Sequence, residues 1–430
     1  MKPKPRLIRS RLGCRTKVQC RCSRVAPTVD LRMSHEPSAA STDTASNSST
    51  RLNSQRRSIL HFLAGARPTD LARILWSHGG VSRSSAFQVV VMAACALART
   101  PACTMETFRV ARRVKNFSFA PPPVFIVGHW RSGTTYLHNL MSLDRRFSFP
   151  TISDVLRPFD FYPSPVEPIS RWLILRLLPS TRPMDDVPLA PHLPQEEEIA
   201  TATMGALSFL NCFYFPKRLS EVFAKEVLFH GASADELSKW SESLRYFLAK
   251  LAALSPERRL LLKNPAHSAR IPHLRALFPG AKFVHIHRHP FDVFRSTQKL
   301  YRCLLPSLAL QHYELSSIDE HIMWAYPKIM NLLLDSLQDI PAADVTTVSY
   351  VELLADPGEA VARIYRDLDL GDFSHVRPSI QLTDRSFRSS PSIFDMDEDT
   401  QSRLALLWKP VLDRLGYAMP TAVQSSFPPP

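Results

Sequence analysis

From residue 121 onward, short apolar runs alternate with longer amphipathic stretches. The runs are rich in β-branched and other apolar residues, which is typical of buried strands. They lie at 124–128 (VFIVG), 258–263 (RRLLLK), 281–287 (AKFVHIH) and 344–350 (DVTTVSY). A stretch with helical spacing of apolar residues follows each run. Strands that alternate with helices predict βαβ units, so we expect an α/β fold in which helices flank a parallel sheet.

Residues 58–119 contain no such runs, and we predict a helical N-terminal segment there. The stretch from Phe87 to Ala98 (FQVVVMAACALA) is apolar throughout and lies between Arg83 and Arg99. A helix that crosses a bilayer needs about 20 mostly apolar residues, and this stretch is shorter. We therefore expect a buried helix and no transmembrane segment. Peripheral membrane contact through a shallow helix is the alternative.

Residues 1–57 show no periodicity and hold 13 Lys and Arg residues against 3 Asp and Glu residues. We predict a disordered basic tail. The whole chain has a net charge of +14, but residues 58–430 hold 40 basic and 36 acidic residues and contribute only +4. No nucleic-acid partner is therefore expected. We interpret the tail as a flexible segment, or as the result of a start codon assigned too early, with Met33 as the later start. An organelle-targeting peptide is the alternative.

Seven cysteines are scattered along the chain, three of them in the tail. No pair has the spacing of a zinc site, and an odd number of cysteines does not favour a disulfide framework. This usage indicates a reducing compartment, so we predict a cytoplasmic protein. The main domain is predicted to occupy residues 120–420.

The first strand run leads into GHWRSGTTY, residues 128–136, and then into a helix. Gly128 and Gly133 have the spacing of a P-loop, in which backbone N–H groups and a helix N-terminus bind phosphate. A nucleotide triphosphatase has Lys directly after the second glycine and a metal-binding carboxylate at the end of a later strand. This chain has Thr134 and Arg288 at those places. Its P-loop-like turn therefore suits a phosphate that is held, with no metal required.

The stretch FIVGHWRSGTTYLHNL resembles the 5′-phosphosulfate loop of sulfotransferases that use 3′-phosphoadenylyl sulfate (PAPS). The resemblance implies that PAPS is the sulfuryl donor and that adenosine 3′,5′-bisphosphate is released. It also implies a set of residues that hold the 5′-phosphosulfate, namely Arg131, Ser132, Gly133, Thr134, Thr135 and Tyr136.

A second stretch, FVHIHRHPFDVFRST at 283–297, resembles the 3′-phosphate site of the same family. The resemblance implies that Arg288 and Ser296 clamp the 3′-phosphate, and a guanidinium suits a phosphate dianion because it donates two parallel hydrogen bonds. LLLKNPAH resembles the branch related to tyrosylprotein sulfotransferases, in which a strand-end lysine contacts the bridging oxygen of the donor. Lys263 has that position and would stabilise charge on the leaving phosphate. Tyr350 lies where relatives have a Tyr near the donor phosphates, with a core position as the alternative.

Transfer to an alcohol needs a general base that takes the hydroxyl proton. RPMDDVPLAPHLPQEEEIA, residues 182–200, resembles a stretch of bacterial sulfotransferases of this branch. We predict a helix directly after Pro194, on which Glu196 and Glu198 lie about 200° apart and cannot both face one pocket. Glu196 is the predicted base and Glu198 the second candidate. The alternative is an acidic first helical turn that only complements the helix dipole.

Two histidines are further candidates. His267 follows Lys263 closely and is a rival base or an acceptor-orienting group, and His129 lies beside the phosphate loop. A lone histidine is more often structural than catalytic, so both rank behind the glutamates.

Two aromatic segments, 147–163 (FSFPTISDVLRPFDFYP) and 206–216 (ALSFLNCFYFP), are predicted to line an acceptor pocket. Together with the motifs they predict transfer of a sulfuryl group from PAPS to a hydroxyl of a small-molecule or lipid acceptor, such as a quinol-like ring or a hydrophobic alcohol. One alternative is a P-loop nucleotide kinase or NTPase. The other is a non-catalytic protein that binds polyanions through the basic tail.

Overall fold

In the computed structural model of the protein, five parallel strands form the sheet that the alternating pattern predicted. The four predicted strand runs are confirmed as β1, β3, β4 and β5, and the two-residue β2 is too short to show as a pattern. The strands are β1 Val124–Val127, β2 Phe147–Ser148, β3 Arg259–Lys263, β4 Lys282–His287 and β5 Val345–Ser349.

The structure describes residues 61–163, 167–177, 192–382 and 396–418. The predicted disordered tail, 1–57, lies outside these ranges. All described residues belong to one compact unit, Asn53–Pro430.

Helices surround the sheet and precede it. In chain order they are α1 Pro68–Ser77, α2 Ala86–Lys115, α3 Thr134–Met141, α4 Ile152–Val155, α5 Glu167–Leu177, α6 Glu198–Thr203, α7 Leu210–Tyr214, α8 Leu219–Glu226, α9 Ala234–Leu254, α10 Ile271–Leu277, α11 Pro290–Leu308, α12 Ser316–Gln338, α13 Tyr350–Ala355, α14 Pro357–Asp367, α15 Arg377–Leu382 and α16 Glu398–Leu415. Short 3₁₀ turns lie at Phe62–Gly65, Arg83–Ser85, Pro216–Arg218, Pro265–Ala269 and Ala342–Asp344.

The strand order β2-β3-β1-β4-β5 puts β1 in the middle of the sheet. After β1 the chain builds β2 and β3 on one side and then β4 and β5 on the other. In open parallel sheets, ligands bind beyond the carboxyl ends of the strands, where the order reverses direction. The segments that follow β1, β3, β4 and β5 all start at this carboxyl edge, so the fold itself brings the four predicted motifs to one side of the sheet.

The aromatic segments lie largely in the core. Phe209, Phe213 and Phe215 are at most 4% exposed, and the ring of Phe209 stacks on Trp130 with centroids 3.9 Å apart. Phe161, in the other segment, is also buried. All four rings are buried, but Phe209 and Phe215 also line cavities, so the acceptor pocket stays a prediction. The ring of Phe213, on α7, packs against Tyr301 of α11 with centroids 4.8 Å apart.

The apolar stretch 87–98 belongs to α2, which continues to Lys115. The expected buried helix is correct for only one side, since Met92 is fully buried while Leu97 is 64% exposed. The helix continues beyond Arg99, whose guanidinium donates to Asp160 outside the helix. By length and composition alone, the helical stretch Arg83–Lys115 is able to cross a membrane, and 22% of its most apolar window is buried.

Candidate active site

The loop after β1 depends on two glycines that no other residue can replace without strain. Gly128 and Gly133 have φ values of 146° and 99°. A Cβ on Gly128 would clash with the carbonyl oxygen of Ile286 at the end of β4, and one on Gly133 would clash with the ring of Tyr350. The loop is therefore pressed against the ends of β4 and β5.

The N-terminus of α3 opens directly from this loop. Gly133 is its N-cap residue and provides no side-chain hydrogen bond, so the first amides of the helix have no capping partner. Thr134 is buried and Thr135 half-buried at this first turn. Backbone N–H groups and the helix dipole together favour an anion at such a position.

Two residues predicted to hold the phosphosulfate have other contacts. The hydroxyl of Ser132 donates to the carbonyl oxygens of His129 (2.7 Å) and Ile286 (3.2 Å), and its N–H also donates to His129. Its side chain therefore shapes the loop. Tyr136 is 6% exposed and belongs to the apolar cluster between the sheet and the C-terminal helices. Its ring lies in the core, and its backbone amide belongs to the first turn of α3.

The two donor motifs meet. Nε of Arg131 donates to the hydroxyl of Ser296 at 2.8 Å, across 165 residues of sequence. Arg131 adopts a left-handed backbone conformation (φ 71°), which is uncommon for a side-chain-bearing residue and directs it away from the course of the strand. This contact joins the loop after β1 to α11, as the two sequence motifs required.

Arg288, at the end of β4, is held on two sides. Its Nε donates to Asp292 one turn into α11 (3.2 Å), and its guanidinium lies over the ring of Tyr350, 4.9 Å from the centroid. Tyr350 also touches Gly133, so the ring lies between the loop and Arg288. The structure thus brings Arg131, Gly133, Arg288, Ser296 and Tyr350 into one connected group.

The other half of the site lies at the end of β3. The Lys263 ammonium pairs with the Glu196 carboxylate and donates to the hydroxyl of Thr135 at 3.3 Å. The Lys263 side chain is 3% exposed, whereas Glu196 is 29% exposed and opens to solvent. Lys263 therefore bridges the phosphate loop and the predicted base.

The structure corrects the position of Glu196. We expected it in the first turn of a helix, but α6 begins at Glu198, with Glu197 as N-cap residue. Pro194 instead forms a β-bridge with Thr151, and Gln195 donates to the carbonyl oxygen of Pro150 at 2.8 Å. These contacts hold the chain extended before Glu196, so the expected angle of about 200° between Glu196 and Glu198 does not apply.

Three consecutive glutamates contact three different basic side chains. Glu197 lies 2.8 Å from Nε2 of His267, and Glu198 pairs with Arg270 at 3.1 Å. Both glutamates and both partners are at most 2% exposed. The second base candidate, Glu198, and the rival base His267 thus belong to a buried network beneath Glu196. Only Glu196 of the three carboxylates is open to an acceptor.

Burial and charge set the protonation of this network. Burial alone would raise the pKa of Glu198, but the Arg270 guanidinium, His267 and the amide of Asn264 lower it below its usual value. Burial lowers the pKa of His129 to about 4, so it is neutral at physiological pH. Its Nδ1 lies 2.8 Å from the carbonyl oxygen of Trp130, which makes it part of the loop framework.

Several residues of the site were not predicted. The Asn264 amide donates to both Glu197 (3.1 Å) and Glu198 (2.6 Å). The hydroxyl of Ser268 accepts from the N–H of Gly128 at 2.9 Å and fixes the start of the phosphate loop. Behind Lys263, burial and the lysine charge lower the pKa of His138 to about 3. The signal available was the stretch KNPAHSAR, which places four polar side chains directly after a buried strand.

The site combines an anion-binding helix N-terminus, the buried cation Lys263 and the open carboxylate of Glu196. The first turn of α3 and Lys263 both favour negative charge beside Thr135, and Glu196 can accept a proton on the other side of Lys263. Among the described residues, no group of three or more His, Cys, Asp or Glu side chains could hold a metal ion. The chemistry that these side chains support is the transfer of an anionic group to a deprotonating acceptor.

A sequence model of the sulfotransferase family matches residues 122–374. The chain is 30% identical over 311 residues to omega-hydroxy-beta-dihydromenaquinone-9 sulfotransferase Stf3 of Mycobacterium bovis, which covers 71% of this chain and 78% of that protein. The Stf3 protein of Mycobacterium tuberculosis matches to the same extent.

Two solved structures have a similar fold. Sulfotransferase STF9 from Mycobacterium avium superposes with a TM-score of 0.61 at 18% identity, covering 83% of this chain and 98% of that one. Sulfotransferase STF1 from Mycobacterium tuberculosis H37Rv gives a TM-score of 0.58 at 19% identity, covering 78% and 90%. The family match and the 30% identical relatives agree with the site built above, and the chain belongs to the sulfotransferase family.

Proposed function

We propose that the protein transfers a sulfuryl group from PAPS to a hydroxyl group of an apolar, lipid-like acceptor. The observation that carries the proposal is the position of Lys263, which contacts both Thr135 of the phosphate loop and the open carboxylate of Glu196. One residue thereby joins the donor side of the reaction to the acceptor side.

The residues on the donor side fit a molecule with two separated phosphate groups. The uncapped first turn of α3 and Thr135 suit the 5′-phosphosulfate, and Arg288 with Ser296 suits the 3′-phosphate. The contact of Arg131 with Ser296 supports a single ligand between the two groups. A triphosphate site would need a Lys directly after Gly133 and a metal-binding carboxylate at the end of a later strand. This chain has Thr134 and Arg288 at those two places.

PAPS supplies the sulfuryl group, whose bond to the 5′-phosphate oxygen breaks as sulfur bonds to the acceptor oxygen. Glu196 takes the hydroxyl proton, and Lys263 balances the negative charge that develops on the bridging oxygen. Adenosine 3′,5′-bisphosphate and a sulfate ester are the products. Because Lys263 is buried, its charge acts with little screening by water.

The relatives support the class of acceptor. The name of the Stf3 protein describes an acceptor with a hydroxyl group on a dihydromenaquinone, which is an apolar isoprenoid quinone. We propose an acceptor of the same kind here, a hydroxyl on a long apolar chain. Glu196, the open member of the glutamate triplet, is the group this hydroxyl would contact.

Two measurements test the proposal. In thermal shift, adenosine 3′,5′-bisphosphate should stabilise the protein and Mg·ATP should not, because ligand binding to the native state raises the melting temperature. Radiolabelled PAPS should transfer label to an ω-hydroxylated isoprenoid quinone faster than to a short water-soluble alcohol. Stabilisation by Mg·ATP alone would favour a kinase. Equal rates with both alcohols would overturn the apolar acceptor and leave PAPS as the donor.

A further inference from the structure

One side of α2 presents an apolar surface to solvent. The exposed residues recur every three or four positions, so they share one side of the helix over about 32 Å. Phe87, Val90, Leu97 and Phe108 are 71%, 64%, 64% and 80% exposed. We call this surface the α2 outer face, which consists of Phe87, Val90, Ala94, Leu97, Pro101, Thr104 and Phe108.

The α2 outer face itself carries no charge, but basic side chains lie at both of its ends. No exposed residue between Phe87 and Phe108 is charged. Arg83 precedes the face, and the exposed Arg109, Arg112 and Lys115 follow it. Within the part of the chain that the structure describes, none of these four cations forms an ion pair with a carboxylate. The face is thus an apolar strip with positive charge at both ends, a pattern typical of helices that lie in a membrane interface.

The opposite side of α2 is fixed to the body of the protein. Arg99 pairs with Asp160, and the buried ammonium of Lys250 pairs with Glu106. Met92 and Val110 pack in the core. Removing the helix from the body would leave buried charges without partners, which is strongly unfavourable. The helix therefore cannot leave the body to span a bilayer, and only its outer face is available.

We propose that the α2 outer face docks on an anionic lipid bilayer, with the helix parallel to the membrane surface. Its apolar side chains enter the acyl boundary, and the cations at its ends contact anionic headgroups. An apolar exposed patch of this size on a soluble protein usually marks an interaction surface.

The flanking charges favour a bilayer over a second copy of the chain. Two α2 helices packed antiparallel about a twofold axis would bring Arg83 of one copy near Arg109, Arg112 and Lys115 of the other. Parallel packing would bring identical cations together. Both arrangements place like charges side by side, which opposes association, whereas anionic headgroups attract the same residues.

Contacts connect α2 to the reaction site. Glu106 of α2 accepts from the N–H of Tyr162 at 2.6 Å, and Arg113 donates to the Tyr162 hydroxyl at 2.7 Å. Tyr162 lies eleven residues after Thr151, which forms a bridge with Pro194, two residues before Glu196. Docking would hold Tyr162 close to the membrane, where an apolar acceptor resides. This role in acceptor delivery rests on the proposed function, while docking itself does not.

The test is co-sedimentation of the full chain with phosphatidylcholine vesicles, with and without phosphatidylglycerol. The variant Leu97→Asp with Phe108→Asp should bind anionic vesicles at least roughly tenfold more weakly than the wild type, since it places charge on the apolar strip. The matched control is Val351→Asp with Leu406→Asp, which are 67% and 79% exposed on α13 and α16 and should bind like the wild type. Circular dichroism melting confirms that both variants are folded.

Each other outcome contradicts the proposal. If the wild type does not sediment with anionic vesicles, the docking surface is absent. If the α2 variant still binds, the basic tail accounts for membrane binding. If Leu97→Asp with Phe108→Asp converts a dimer to a monomer in size-exclusion chromatography without any vesicle binding, the occupant is a second copy. Binding of adenosine 3′,5′-bisphosphate, measured on the same samples, reports separately on the proposed function.

Discussion

The carboxyl ends of β3 and β4 each carry a buried cation paired with a carboxylate, but they are built differently. At β4, Arg288 pairs with Asp292 only four residues later, on the helix that the same strand leads into. At β3, Lys263 pairs with Glu196, which is supplied by a segment 67 residues earlier. The first arrangement is local, and the second requires the fold. The comparison indicates that the ion pair at β4 is encoded within one motif, whereas the ion pair at β3 is assembled from separate parts of the chain.

The buried support of the β3 end should show the largest effect. Glu198→Gln would leave the Arg270 charge buried without its partner, which costs about 3–5 kcal/mol of unfolding free energy. Chemical denaturation measures this loss. Glu359→Gln, which removes an exposed carboxylate from surface arginines, should leave the unfolding midpoint unchanged.

The pH dependence of stability has a definite sign at this position. Because the pKa of Glu198 is lower in the folded protein than its usual value of 4.5, its contribution is fully present above that pH and is lost as the pH falls further. The melting temperature of the wild type should therefore fall more steeply as the pH drops below 4.5. The melting temperature of Glu198→Gln should fall less over the same range. An equal decline in both proteins would contradict the assigned contact.

Lys263→Met tests the cation at the end of β3. Removing a charge that stabilises the leaving group should lower kcat about 10²–10³-fold with little change in donor binding. Lys282→Met is a matched control, because Lys282 pairs with Asp344 at the opposite, amino edge of the same sheet. If Lys263→Met retains the full rate, the end of β3 takes no part in the mechanism.

Glu196→Gln tests the carboxylate of the same pair. Loss of a general base should lower kcat about 10²-fold. Asp344→Asn is the corresponding control at the amino edge. Since Glu196 and Lys263 act together, the double variant should lose less than the product of the two single losses. If the loss of kcat in the double variant equals the product of the two single losses, the two residues act independently.

Arg288→Lys tests the β4 end and should separate it from the β3 end. Lysine keeps the charge but loses the planar fork, so the KM for the donor should rise roughly tenfold while kcat changes little. Arg302→Lys, which changes an exposed residue of α11, should change neither value. A fall in kcat without a change in KM would place Arg288 at the transferred group and not at the 3′-phosphate.

Asp292→Asn should have the smallest effect. The contact of Arg288 with the ring of Tyr350 remains in this variant, so the KM for the donor should change only roughly twofold. A larger rise in KM would indicate that Asp292 positions Arg288 more strongly than the Tyr350 ring does.

Local patterns predicted much of this molecule. The four strand runs needed only β-branched apolar residues and flanking turns, and the P-loop-like turn needed two glycines at a fixed spacing. The contact between Arg131 and Ser296 agrees with the expected meeting of the two donor motifs. The strands and the turn depend on neighbouring residues, which a sequence displays directly, whereas the meeting of the two donor motifs was expected from the family resemblance.

Features that depend on distant contacts were missed or misplaced. The helix start moved from Glu196 to Glu198 because Pro194 pairs with Thr151, which no local pattern reveals. The ion pair that ties Arg99 of α2 to Asp160, far along the chain, was not predicted. The burial of the aromatic rings in segment 206–216 was also not predicted, because it depends on contacts with distant helices.

The bridge between Thr151 and Pro194 has an evolutionary consequence. It fastens together the two ends of a long excursion, so insertions or deletions between them need not shift Glu196. The proposed base can therefore keep its position while the residues between Thr151 and Pro194 vary in sequence and number. A change of substrate in such enzymes can proceed by loop replacement, without any alteration of the sheet.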